Sequence, residues 1–263
     1  MALRGDWVYE NNGGTCVAIA GSDYCVVAAD TRLSVGYSIH TRDYSKICNL
    51  CDLLFPADKC VLASSGFQGD MKALQKNLAA KHLVSVHLLH IYQHQHNKQM
   101  SCPAMARLLS NTLYYKRFFP YYTFNILGGL DNEGKGCVYT YDAVGSYERV
   151  GYSCQGTGGA LIMPVLDNQL KSPSPLLLPA RDAVTPLSES EAVDLVKDVF
   201  ASATERDIYT VRFPIFFFFQ FLAFCESDIF PTQQHAYSSR VLNDPNEYDP
   251  LIGFRLSYRI MHK

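Results

Sequence analysis

The chain has no excess of charge of either sign: 23 Lys and Arg stand against 25 Asp and Glu in 263 residues, a net of −2. A balance this close argues against a partner held by sequence-wide basic charge, such as nucleic acid or an anionic membrane surface. Long apolar runs are also missing. The longest, Phe213 to Phe224, contains Pro214 and Gln220 and falls short of the roughly 20 residues a spanning helix needs, so no membrane anchor is expected. Met1 to Gly14 have neither the basic start nor the apolar stretch of a secretory signal, which points to a reducing compartment. No disulfide framework is legible either. The nine cysteines are odd in number and scattered, at Cys16, Cys25, Cys60, Cys102, Cys137 and Cys154 among others, and read as buried thiols.

What is present is apolar bulk. With 48% hydrophobic and 18% charged residues, the chain can bury a large core, and one globular domain is expected. Thr15 to Ala20 and Tyr24 to Ala29 read as two β-rich runs joined by Gly21-Ser-Asp, a hairpin ending at Asp30. Further strands are predicted at Tyr37 to His40, Lys46 to Leu50 and Lys59 to Ser64. From Asp70 the period changes: Met71, Leu74, Leu78 and Leu83 recur at helical spacing. A second helix is predicted from Ser101-Cys-Pro103 through Leu113.

Strands return at Tyr122 to Gly128, Lys135 to Tyr141 and Tyr147 to Ser153. Gly156-Thr-Gly-Gly159 opens a helix to about Leu166, and Ser188 with Glu191 forms a capping box ahead of a last one. Lys171 to Pro186, with its four prolines, reads as a surface excursion. Strands, two helices, strands, two helices in one domain imply an α+β fold, a four-layer αββα sandwich of two antiparallel sheets between helix layers.

In this order, Gly13-Gly14-Thr15, Ala28-Ala-Asp30-Thr-Arg32, Ser65-Gly66-Phe67-Gln68-Gly69-Asp70 and Ala203-Thr-Glu-Arg-Asp207 resemble the β subunits of the proteasome, within the N-terminal-nucleophile hydrolase fold. The resemblance covers about residues 10 to 210. Ser38-Ile-His-Thr-Arg-Asp43 and Tyr114 to Tyr122 look closer to a non-catalytic branch, the type-1 β subunits, than to the catalytic ones. The implied organisation is an N-terminal extension over 1–13, the subunit domain over 14–210 and an atypical tail over 211–263. The resemblance also implies cytoplasm and nucleus as locations. The implied partners are other β subunits in the same and the opposite ring, and α-ring subunits, with no cofactor, metal, nucleic acid or membrane.

Active members of the family attack the peptide carbonyl with the hydroxyl of an N-terminal threonine whose own amine is the general base. By resemblance, Asp30 and Lys46 match the aspartate and lysine that set the electrostatics, and an ungapped count places Gly14 at the nucleophile. Thr15 is the rescue candidate, but it lies one residue too close to both Asp30 and Lys46. On a strand, a one-residue slip turns the side chain to the other face; a bulge could restore the register. Thr157 and Gly159 fall where the family has two serines, and Asp207 and Thr210 match the remaining polar pair. The expectation is a non-catalytic subunit in which Asp30, Lys46 and Asp207 form a buried polar network that fixes the fold.

Two rival readings come from the same residues. One is an active threonine peptidase after cleavage before Thr15. The other is a stand-alone metal-binding scaffold using Cys48, Cys51 and the cluster His82, His87, His90, His94 and His96; Cys48-Asn-Leu-Cys51 lacks the second pair a structural zinc site needs. The aromatic run Tyr114 to Tyr122, with Lys116 and Arg117, suits a neighbouring subunit better than a base-stacking platform. Around Cys51 to Pro56, Val84 to His90 and from Val211 onward the family pattern is interrupted. Two of these stretches begin with Val, whose codons start GT, and the tail is Phe-rich and hence T-rich. Retained introns are the hypothesis; a dominant spliced message encoding these residues would contradict it.

Overall fold

Strands β1 (Thr15–Ala20) and β2 (Tyr24–Ala29) are buried along their whole length, as expected of strands covered on both faces, which read as unbroken apolar runs. Their pairing, Cys16↔Ala29 to Ala20↔Cys25, makes the predicted hairpin. The computed structural model describes residues 10–49, 60–78, 80, 101–170, 184–210 and 215–220.

The period-two alternation of these strands sorts the core into layers. Val17, Ile19, Val26 and Ala28 face a cluster with Ile162, Leu166, Val196, Val199 and Phe200, from α3 (Gly159–Leu170) and α4 (Glu189–Thr204). Cys16, Ala18, Cys25 and Val27 face the opposite way, onto Val61, Ala63, Ile126 and Val138. Those belong to a second sheet, ordered β5 (Ile47–Asn49), β6 (Cys60–Gly66), β7 (Thr123–Leu130), β8 (Gly136–Tyr141), β9 (Tyr147–Val150). Its outer face, through Leu62, Leu127 and Tyr139, packs on Leu74 and Leu78 of α1 (68–78) and on Met105, Leu109 and Leu113 of α2 (Cys102–Tyr115). The layers are therefore helix, sheet, sheet, helix. A short ribbon, β3 (Leu33–Val35) with β4 (Ser38–Thr41), stands apart from both sheets.

Two expectations need correction. Tyr147 to Ser153, read as one strand, is two: β9 ends at Val150, and β10 (Tyr152–Gly156) joins the other sheet beside β1. Gly151 stands at the corner where the chain changes layers. Helix α3 runs to Leu170 rather than about Leu166, with Pro164 inside it. The start of the tail, where the family pattern is interrupted, forms β11 (Ile215–Gln220), antiparallel to β2 from Ile215↔Ala29 to Gln220↔Tyr24. A β2 edge would otherwise leave backbone N–H and C=O groups unpaired, and the apolar run takes them up. The stretches 51–56 and 84–90, Cys51 and the cluster His82 to His96 lie outside the described residues. Among the described residues, no helix is long and apolar enough to cross a membrane.

At the start of α4 the Glu191 carboxylate accepts from the Ser188 hydroxyl at 2.7 Å and from the Ser188 N–H at 2.9 Å. These bonds, the hydroxyl first, hold its pKa below the ordinary glutamate value of 4.5. A depressed carboxyl pKa adds stability that is present above the unfolded pKa and is lost as pH falls through the folded one. Glu191→Ala should therefore lower the thermal midpoint at neutral pH, and the gap from the parent should close as the buffer is taken below 4.5. A gap independent of pH would contradict this account of the cap.

Candidate functional site

The site forms where β1 begins, between the ends of β2 and β10 and the segment leading into β5. Asp30 directly follows β2 and Lys46 directly precedes β5, so neighbouring strands of the two sheets bring them together. Both side chains are fully buried, and the Lys46 ammonium lies 2.9 Å from each Asp30 carboxylate oxygen. It also donates to the carbonyls of Asp30, at 3.3 Å, and Arg32. The carboxylate accepts the N–H groups of Thr15 at 2.7 Å and Arg32 at 3.2 Å. Burial pushes the Asp30 carboxyl above its ordinary value, opposed by the ammonium beside it. The pair is thus closed on itself and on the backbone of Thr15, Asp30 and Arg32.

Gly14 is the residue that faces this pair. A Cβ on it would lie 2.2 Å from Lys46 Cε, 2.5 Å from Nζ and 2.8 Å from Asp30 Oδ1. The lysine stem occupies the space a side chain at this position would need, and φ of +96° places Gly14 in the left-handed region that favours glycine. Thr15, the next residue, is fully buried and engaged elsewhere. Its Oγ1 accepts from Gly158 N–H at 2.9 Å and lies 2.7 Å from Thr210 Oγ1. Thr210 donates its own proton to Asp207 Oδ2 at 2.6 Å, so Thr15 is the donor to Thr210. With its single proton placed and a lone pair occupied, the Thr15 hydroxyl sits in a closed chain, and its N–H is spent on Asp30.

Thr157 completes that chain, donating from Oγ1 to Asp207 Oδ2 at 2.7 Å; its N–H meets the Gly14 carbonyl at 3.0 Å. The sequence-predicted positions therefore converge as two groups. Lys46 and Asp30 face Gly14, while Thr157, Asp207 and Thr210 surround Thr15. Gly159 stays outside, its Cβ direction meeting Cys154 atoms at 3.6 Å or more.

Two participants were missed by sequence reasoning. Gly158 supplies the N–H to Thr15, and a Cβ there would come within 2.6 Å of Oγ1. Asn12 holds the chain upstream of Gly14 with four hydrogen bonds. Asn beside two glycines reads only as turn composition, so nothing local in the sequence marks it. Among the described residues, no group of three His, Cys, Asp or Glu side chains could hold a metal ion. The thiols of Cys16, Cys25 and Cys102 are buried and pushed well above their ordinary pKa, by burial for Cys16 and Cys25 and by hydrogen bonding with Cys137 and Cys60 for Cys102. They are poor nucleophiles there.

Comparison with known proteins gives the family. Residues 10–212 match the family described as Proteasome subunit. Proteasome subunit beta type-1 of Oryza sativa subsp. japonica is 83% identical over 210 residues, covering 80% of this chain and 89% of the relative. The Arabidopsis thaliana protein of the same name is 76% identical over 202 residues (77% of this chain, 85% of the relative), and that of Danio rerio 48% over 202 residues (77% and 78%).

Proposed function

Because the chain belongs to the proteasome subunit family, we propose that it is a non-catalytic β subunit, of the beta type-1 kind, in the 20S core particle. It helps to wall the chamber in which neighbouring subunits cleave ubiquitin-tagged proteins delivered by ATP-driven machinery, in cytoplasm and nucleus. One observation carries the reading: the position facing the Lys46–Asp30 pair is Gly14, which has no nucleophile. The adjacent hydroxyl supports it, since Thr15 Oγ1 is held by Gly158 and Thr210 instead of facing the ammonium. The polar groups that elsewhere would serve chemistry here join β1, the β10–α3 turn and the segment after α4.

The partners are flanking β subunits, the opposite β ring and the α ring. In support, Tyr114, Tyr115, Phe118 and Phe119 at the end of α2 are exposed, and the Arg117 guanidinium lies 4.6 Å and 4.3 Å from the Tyr114 and Phe118 rings. Aromatic and Arg side chains in one patch are the composition favoured at protein interfaces.

Particles assembled with Thr15→Ala should comigrate with the other subunits and hydrolyse peptides at the parent rates. Loss of one class of peptidase activity, with assembly intact, would show that Thr15 is a nucleophile. Purification of the chain alone, with stoichiometric zinc, would favour the metal-binding scaffold.

A further inference from the structure

Three thiols meet on the outer face of the second sheet. In the register of its strands, Cys60 of β6 lies opposite Gly129 of β7, and Gly129 lies opposite Cys137 of β8. The two cysteines thus flank a residue without a side chain, and the gap between them opens toward α2. Cys102, the first residue of that helix, fills it. Its thiol hydrogen-bonds with those of Cys137 and Cys60, and all three are buried in one cluster. Cys25 stays apart in the layer between the sheets, with its Sγ 3.8 Å from the Cys137 carbonyl. The turn that carries Cys102 is weakly held. Ser101 makes no side-chain capping bond, no acidic residue follows in the first turn, and Pro103 has no N–H to give.

We propose that Cys60, Cys102 and Cys137 form a site of reversible oxidation by peroxide, with Cys102 as the shared partner that bridges to either of the other two. Geometry selects the pairs. Cys60 and Cys137 are two strands apart, about 9–10 Å at the strand spacing of a sheet, beyond the roughly 7 Å that a disulfide spans. Cys102 is in side-chain contact with both. Hydrogen bonding with Cys137 and Cys60, and burial after it, raise the Cys102 pKa and keep its proton on while the fold is closed. Reaction therefore waits on fraying of the first turn of α2. In the frayed state Cys102 gives its proton to solvent and its thiolate attacks hydrogen peroxide. The O–O bond breaks, leaving a sulfenic acid and hydroxide. The thiol of Cys60 or Cys137 then attacks the sulfenic sulfur: the S–S bond forms, the S–O bond breaks, and water leaves with the attacking thiol's proton. Two thiols have lost two electrons, and one peroxide has become two waters. The third thiol can attack the Cys102 sulfur in turn and displace its first partner, so the bridge passes between β6 and β8 while α2 stays tied to the sheet. Glutathione returns the thiols by the same exchange.

The test is peptide mapping of core particles treated with hydrogen peroxide, blocked with N-ethylmaleimide and digested without reductant. Cys102 should be found joined to Cys60 and to Cys137, with no bridge between those two, and glutathione should return all three to thiols. Exchange of the Met105 N–H, which bonds the Ser101 carbonyl at 3.0 Å, should slow at least about fivefold in oxidised particles, because the bridge pins the turn. Cys102→Ala should abolish both bridges, whereas Cys60→Ala should retain the one to Cys137. If a variant fails to assemble, the bridges and the exchange in the parent decide. The proposal is overturned if Cys102 stays unbridged at peroxide doses that convert methionines of the same particle to sulfoxide. A bridge between Cys60 and Cys137 overturns it too, as do bridges at Cys102 without slower Met105 exchange, which would place the oxidation in unfolded chain.

Discussion

Lys46→Met, with Asp30 left in place, is expected to destabilise the chain by about 3–5 kcal/mol, the usual cost of leaving a buried charge without its partner. Both side chains of the pair are fully shielded from water, so no solvent can replace the lost ammonium. The readout is hydrogen exchange of β1 and β2 amides in assembled particles, where 3 kcal/mol is more than a hundredfold in opening. Lys46→Met combined with Asp30→Asn should recover much of the loss. The amide removes the charge and keeps an acceptor for the N–H groups of Thr15 or Arg32. Exchange in Lys46→Met within a few-fold of the parent would mean that the pair does not hold this part of the fold.

Gly14→Ala is the second large effect, and Gly36→Ala is its control. Both positions have positive φ, +96° and +54°, so both substitutions cost backbone strain, about 1–3 kcal/mol. Only at Gly14 does the new Cβ run into another group, 2.2 Å from Lys46 Cε; at Gly36 nothing lies within 4 Å. Overpacking of that kind adds about 1–3 kcal/mol. Gly14→Ala should therefore exceed Gly36→Ala by at least about 1 kcal/mol in the same exchange measurement. Equal costs would mean that the lysine stem moves aside freely, and that Gly14 has room for a side chain after all.

The layers of this fold were legible in the order of its elements, strands, two helices, strands and two helices in one domain, and the structure then sorts the two faces of its central strands. Val17 and Ile19 alternate with Cys16 and Ala18, and the two sets face different layers. The helices announced themselves by spacing, as with Leu74 and Leu78 or Met105, Leu109 and Leu113. The corner at Gly151 was not legible. A strand that changes sheets keeps its β-prone composition on both sides, and one glycine does not reveal that the partner has changed. Nor was β11: a Phe-rich run signals β propensity, but which edge it will cover depends on β2 being short of a neighbour.

At the site, the resemblance to the family placed Asp30 and Lys46, and an ungapped count back from them placed Gly14 opposite the pair. The hydrogen-bond directions around Thr15 had no such signal, since they depend on Gly158 and Thr210, which lie 143 and 195 residues away in the chain. Asn12 escaped notice for the same reason. Its partners Ser34, Gly66 and Gln68 meet only once the β3–β4 ribbon lies beside the β6–α1 junction.

The most direct test of the central claim is intact-mass analysis of this chain in purified core particles treated with a threonine-directed covalent probe. The account predicts that residues before Thr15 are retained and that the chain carries no probe. A new N-terminus at Thr15 bearing the probe would contradict it and make the chain a peptidase.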